Sequence, residues 1–239
     1  MNKPKVLVTR NIFPEWINYI SDNSELDLWE DELPPPRDIL LKKVKGIDGI
    51  LCLLTDKIDS ELMDIAGPQL KVISQIAVGF DNININEATK RKIPVGNTPD
   101  VLTSTTADAT WSLLMAAARR ITESERFVHQ GKWKTWHPLH FLGQDIYKST
   151  FGIIGMGRIG YEVAKRAIGF DCKIIYYDVN RRKDLEEKLP LEYVDLKTLL
   201  INSDIISLHT VLNDDTYHLI GEKELNLMKD NSILVNVSR

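Results

Sequence analysis

The sequence predicts an α/β protein made of two doubly wound parallel-sheet domains. Three observations carry this. Short apolar runs rich in β-branched residues alternate with amphipathic segments of helical spacing, the alternation occurs in two separate series, and a long helix-forming segment stands between them. Parallel strands need a crossover, and a helix on the sheet face supplies it.

In the first series, residues 6–9, 26–29, 50–54 and 72–76 and the neighbourhood of Val95 read as strands. Residues 16–21, 39–44, 60–66 and 85–90 carry apolar side chains at helical spacing. Pro34, Pro35 and Pro36 form a loop, because three fixed φ angles and three missing amide donors suit neither element. From Ala107 to about residue 127 the pattern predicts one long helix, with Asp108 in its first turn and Trp111, Leu114, Met115 and Ala118 on one face. A stretch dense in aromatics and histidines follows at 133–142. The second series places strands at 151–154, 173–177, 205–208 and 233–237 and helices at 158–168 and 196–201. The domain boundary is expected near residue 100, giving domains 1–100 and 101–239. The last strand ends with the chain, so the second sheet is expected to be incomplete at its C-terminal end.

Composition excludes several partner classes. The 239 residues are 43% hydrophobic and 27% charged, enough to bury two ordinary cores. A formal net charge of −4 offers no broad cationic field, which argues against nucleic acid and anionic membrane as partners. No apolar run is long enough to span a bilayer and the first residues lack a signal-peptide core, so a cytoplasmic protein is expected. Cys52 and Cys172 stand singly in strand-like stretches, without metal-ligand spacing, and read as inert core residues.

The chemistry-bearing motif is Gly155-Met156-Gly157-Arg158-Ile159-Gly160, which follows an apolar strand and opens a helix. Gly155 permits a tight turn, Gly157 lets a pyrophosphate approach the backbone, and Gly160 allows close packing of helix on sheet. The helix amides from Arg158 and Ile159 onward then face the anion. Asp178 closes the next strand at roughly the 20-residue spacing where an acid accepts hydrogen bonds from an adenosine ribose. A carboxylate there repels a 2′-phosphate and favours NAD, whereas Arg181 and Arg182 just beyond it leave NADP open.

Six blocks together resemble the D-isomer-specific 2-hydroxyacid dehydrogenases, and within them the glyoxylate/hydroxypyruvate reductases. They are LCLLTDKID at 51–59, LKVISQIAVGFDN at 70–82, VGNTPDVLTSTTADATWSLLMAAARR at 95–120, GKWKTWHPLHFLG at 131–143, the glycine turn, and LVNVSR at 234–239. The glycine turn is common to many dehydrogenases. VGFDN, TPDVLT and LVNVSR in this order are specific, and the likeness covers nearly the whole chain.

The resemblance implies a flavodoxin-like substrate domain followed by a Rossmann dinucleotide-binding domain. It further implies that the amides of Val78 and Gly79 grip a 2-oxoacid carboxylate, and that Thr106 contacts the cofactor near its nicotinamide half. Thr210, Val211, Thr216 and Val237 would line the dinucleotide, with Val211 standing where the family usually has proline. Arg239 would bind the carboxylate through its planar fork and stabilise charge growing on the carbonyl oxygen. The family's catalytic glutamate and histidine are expected beyond Arg239, since His129, His137, His140, His209 and His218 do not match the proton donor. His140 takes the place of a tryptophan common in related reductases, within an arm resembling their dimerisation segment.

The expected function is therefore reduction of a small 2-oxoacid by NADH in a homodimer, with low activity for the chain as it stands. The alternative is a dinucleotide-binding interaction module, like the corepressors built on the same scaffold, in which occupancy rather than turnover matters.

Overall fold

The computed structural model describes residues 3–238. The chain divides into two compact units between Asp100 and Val101.

The first unit runs β1 (Lys5–Val8), α1 (Pro14–Asn23), β2 (Glu25–Leu28), α2 (Arg37–Lys43), β3 (Gly49–Cys52), α3 (Ser60–Ala66), β4 (Val72–Gln75), α4 (Ile85–Lys90) and β5 (Val95–Gly96). Every pairing is parallel, in the order β2-β1-β3-β4-β5, which is the flavodoxin-like order. The central strand β3 is an uninterrupted apolar run because both its faces are covered. Leu7, Ile50, Cys52 and Ile73 of the sheet pack with Leu40, Leu62, Met63 and Ala88 of the helices. Two helix starts are set by local chemistry: Asp59 accepts from the Leu62 amide at the head of α3, and Asn84 accepts from the Glu87 amide at the head of α4, each at 3.1 Å. The three prolines form the expected loop, and α2 begins directly after Pro36.

The second unit runs α5 (Thr103–Ala118), α6 (Ile121–His129), β6 (Thr150–Ile154), α7 (Arg158–Ile168), β7 (Lys173–Tyr177), α8 (Lys183–Glu186), β8 (Leu191–Tyr193), α9 (Leu196–Asn202), β9 (Ile205–Leu208), α10 (Glu222–Leu225) and β10 (Ile233–Asn236). Its sheet is also parallel throughout, in the order β10-β9-β6-β7-β8. Counted from β6 this is 3-2-1-4-5 reversed, the Rossmann arrangement, with its switch of direction between β6 and β9. At the core, the Trp111 ring stacks on Phe170 and Phe151 with centroids 4.8 and 5.5 Å apart. Its indole N–H donates to the Val163 carbonyl at 3.2 Å, which joins α5 to α7.

The structure corrects the sequence reading in this unit. The single helix expected from Ala107 is two helices, broken at Arg120, whose φ of 51° is left-handed. At the break the Arg120 guanidinium forks onto Glu123 in the first turn of α6, donates to the Leu142 carbonyl and lies 5.4 Å over the Phe141 ring. Because α5 starts at Thr103, Asp108 lies beyond its first turn. Its carboxylate pairs with Arg166 of α7 at 2.7 Å. The four-residue helices α8 and α10 and the three-residue β8 are too short to show a period, and the sequence reading leaves them unassigned.

Among the described residues, no helix is long and apolar enough to cross a membrane, and no group of three or more His, Cys, Asp or Glu side chains could hold a metal ion. Cys52 is buried, which pushes its thiol up to about 12, and partial burial raises that of Cys172 in the same direction. Neither sulfur is therefore a ready nucleophile.

Candidate functional site

In open α/β sheets, ligands bind beyond the carboxyl ends of the strands where the strand order reverses. In the second unit that place lies between β6 and β9, and the glycine turn leaves β6 there. Gly155 has a φ of 92°, in the left-handed region. A Cβ on it would stand 2.7 Å from the His209 carbonyl oxygen and 3.0 Å from the Thr210 amide nitrogen, so the loop after β9 closes directly against this turn. A Cβ on Gly160 would lie 2.1 Å from the Gly155 carbonyl oxygen, which lets α7 seat on the turn without a side chain between them.

Gly157 is different: nothing lies within 4 Å of the Cβ it lacks. It caps α7 with extended backbone. The first amides of any α-helix have no acceptor within the helix, and here they belong to Gly157, Arg158, Ile159 and Gly160. Open space, backbone donors and the positive end of an 11-residue helix therefore coincide. This arrangement fits a diphosphate.

Asp178, at the end of β7, is drawn into the same turn. Its Oδ2 accepts from the Met156 amide at 2.8 Å and its Oδ1 from the Asn180 amide at 3.0 Å. Arg181 and Arg182 are already engaged. Arg181 forks onto Glu186, while Arg182 forks onto Asp184 and donates to the Met156 carbonyl. The Arg181 guanidinium and then the Tyr176 hydroxyl hold the Glu186 carboxyl down to about 2.

Beyond β9, Thr210 lies beside Gly155, whereas Val211 is largely exposed. The Thr216 hydroxyl accepts from the Asn213 amide at 2.9 Å and donates to the Val211 carbonyl, so it folds this loop upon itself. Thr106 is the fourth residue of α5; its amide donates to Leu102 and its carbonyl accepts from the Thr110 hydroxyl. The same helix packs against β10, and Val237, just past β10, packs against that core. Arg239 lies outside the described residues. His209 is half-buried, with Nε2 2.8 Å from the Ser207 hydroxyl and a buried Nδ1 unpartnered among the described residues. Burial pulls its imidazole down to about 4.

In the first unit, Val78 and Gly79 form the bend that leaves β4 at the carboxyl edge of the sheet. Their amides have no acceptor among the described residues. Their carbonyls are both held: Val78 O accepts from Asn97 Nδ2 at 2.8 Å, and Gly79 O accepts from Gln75 Nε2. Ala77 O accepts from the Thr98 amide at 2.9 Å. Gln75 is itself locked by a reciprocal amide pair with Asn82, at 2.9 and 2.8 Å. Asn82 also donates to the carbonyls of Leu53 and Asp56. Sequence reasoning missed this supporting set. Its only signal was that Gln75 and Asn97 are amide side chains at strand ends and Asn82 an amide in the loop before α4.

His140 lies in the exposed arm that follows α6. Its ring stacks on His137 with centroids 4.7 Å apart and meets Phe127 edge-on at 5.6 Å.

Residues 111–239 match the family model described as D-isomer specific 2-hydroxyacid dehydrogenase, NAD binding domain. A glyoxylate reductase of Korarchaeum cryptofilum is 53% identical over 238 residues, a match that covers 99% of this chain and 71% of that protein. Among solved structures, the TT0316 protein of Thermus thermophilus superposes with a TM-score of 0.89 at 39% identity, covering 98% of this chain and 74% of that one. The D-lactate dehydrogenase of Aquifex aeolicus, complexed with NAD and lactic acid, gives a TM-score of 0.84 at 29% identity, covering 98% and 69% respectively.

Proposed function

The chain belongs to the D-isomer specific 2-hydroxyacid dehydrogenases, NAD-dependent oxidoreductases acting on CH–OH groups, and from that premise we propose that it reduces glyoxylate or hydroxypyruvate to the D-2-hydroxy acid. The observation that carries the reading is the open face over Gly157, bounded by Gly155 and Gly160, where side chains could not fit, and set at the sheet's switch point.

When bound, the reduced nicotinamide supplies the hydride. The chain's own residues do the rest. The amides at the head of α7, from Gly157 through Gly160, hold the diphosphate. Asp178 keeps lone pairs beyond those given to Met156 and Asn180, and these accept from the adenosine ribose. Its charge disfavours a 2′-phosphate, and the two neighbouring arginines, already occupied by acids, offer that phosphate little. NADH is thus the proposed donor, in preference to NADPH. Thr106, Thr210, Val211, Thr216 and Val237 are assigned to the remaining dinucleotide contacts, Thr216 by shaping its loop.

For the substrate, the amides of Val78 and Gly79 receive the carboxylate. Arg239 is proposed to clamp that carboxylate and stabilise charge on the carbonyl oxygen. His209 is not the proton donor in this scheme, since an imidazole held at about 4 is neutral near pH 7 and has no proton to give as an acid. A cytosolic homodimer completes the proposal, with the arm at 133–142 as its contact and a second copy of the chain as its partner. Trp133, Trp136, Leu139 and Leu142 are exposed on that arm.

The test is direct. Purified protein should bind NADH in a fluorescence titration and consume it with glyoxylate or hydroxypyruvate, yielding the D-acid on chiral chromatography. Tight NADH binding with no oxidation across a panel of 2-oxoacids would turn the reading toward an interaction module, and absence of NADH binding would overturn it.

A further inference from the structure

We infer that Asn97 is a positioning residue for oxoacid binding, acting by aiming the Gly79 amide through the carbonyl of the preceding residue. The inference rests on the proposed carboxylate role of the Val78 and Gly79 amides and names what holds them in place.

A trans peptide is planar, so its carbonyl and its N–H point in opposite directions. No cis peptide occurs among the described residues. The Val78 carbonyl and the Gly79 N–H share one plane. Asn97 Nδ2, donating to Val78 O at 2.8 Å, therefore turns the Gly79 N–H to the far side. One residue earlier the Thr98 amide holds Ala77 O at 2.9 Å and sets the Val78 N–H in the same manner. One residue later Gln75 Nε2 holds Gly79 O. Three successive planes in an irregular bend are thus fixed through their carbonyls, while the amides of Val78 and Gly79 are left without an acceptor among the described residues.

The three holds are not equivalent. The Thr98 donor is main chain and follows from the end of β5. The Gln75 donor is buried and braced by Asn82. Asn97 is an exposed side chain, and the plane it restrains ends in glycine, whose missing Cβ makes rotation of that plane cheap. The Val78–Gly79 plane is consequently the one that depends on a single removable contact. The contact needs a donor, which the Asn97 amide nitrogen supplies: an aspartate of the same shape would present an acceptor to an acceptor.

The experiment uses the 239-residue chain, isotopically labelled, with oxamate as the probe and backbone amide shifts as the readout. In the unsubstituted protein the Val78 and Gly79 signals should both move on titration. Asn97→Ala and Asn97→Asp should weaken oxamate about fivefold to tenfold, with the Gly79 response reduced more than that of Val78, and should leave NADH affinity unchanged. Equal oxamate affinity and equal Gly79 response in the variants would overturn the inference while leaving the carboxylate role of the amides standing. Failure of Val78 and Gly79 to move in the unsubstituted protein would overturn that role and the inference together. Loss of spectral dispersion in both variants would make Asn97 a folding residue and refute its positioning role.

Discussion

The Asp178 carboxylate accepts a hydrogen bond from the Met156 amide at 2.8 Å, so the acid that ends β7 also braces the middle of the glycine turn that leaves β6. The same group is proposed to read the ribose, and the two tasks separate under substitution. Asp178→Asn keeps an acceptor for Met156, gives up the one for Asn180 and removes the charge. Fluorescence titration should show NADH binding weakened and NADPH binding strengthened, so that their ratio shifts about tenfold, with the protein still folded and its melting temperature lowered only slightly by the lost Asn180 contact. A ratio that stays put would refute the charge argument.

The glycines of the turn should fail in opposite ways. Gly160→Ala places a methyl group 2.1 Å from the Gly155 carbonyl oxygen, so the helix must move, and a loss of about 1–3 kcal/mol in denaturant unfolding is expected. Gly157→Ala meets nothing within 4 Å and should melt like the unsubstituted protein. It should nevertheless lose NADH affinity, because the new methyl group occupies the space assigned to the diphosphate. A Gly157→Ala protein that binds NADH normally would place the nucleotide elsewhere.

Protonation of His209 sets a pH window for stability. Burial holds its folded imidazole at about 4, below the roughly 6.5 of an unfolded histidine. Between those values the unfolded chain takes up a proton that the native protein refuses. The contribution is whole above about pH 6.5 and is lost as pH falls toward about 4, on the order of 3 kcal/mol. Denaturant unfolding across that range should show the slope, and His209→Gln should flatten it. Glu186 acts in a separate, lower window. Its carboxyl is depressed to about 2, so its contribution is present above the usual carboxylate range and disappears as pH falls to about 2.

The arm should control assembly. Trp136 is 76% exposed, and Trp136→Glu should shift sedimentation from dimer to monomer without lowering NADH affinity, since none of the residues assigned to the dinucleotide lies in the arm. A dimer that persists unchanged would move the contact to another face.

Much of the architecture is legible in the sequence. The bounds of α3, α4, α7, β7 and β9 follow from apolar period and from glycines at the head of α7, which act within a few residues, while the caps Asp59 and Asn84 emerge only in the structure. The break at Arg120 was not legible, because arginine there is unremarkable until Glu123, Leu142 and Phe141 surround it. For the same reason Asp108 looked like a helix-start acid and proved to be the partner of Arg166. Asn97 carries no signal of its own in the sequence, and its role shows only where β5 brings it to the Val78 carbonyl.

By itself, the sequence determined the two α/β series, the phosphate-binding turn with its acid, and the family blocks, because patterns of period, glycine and charge are local and need no partner to be read. Tertiary structure alone decided the strand orders, the closure of the loop after β9 on Gly155, and which side each amide of Val78 and Gly79 faces. Those depend on hydrogen bonds and contacts between residues far apart in the chain, whose geometry exists only after the sheets have formed.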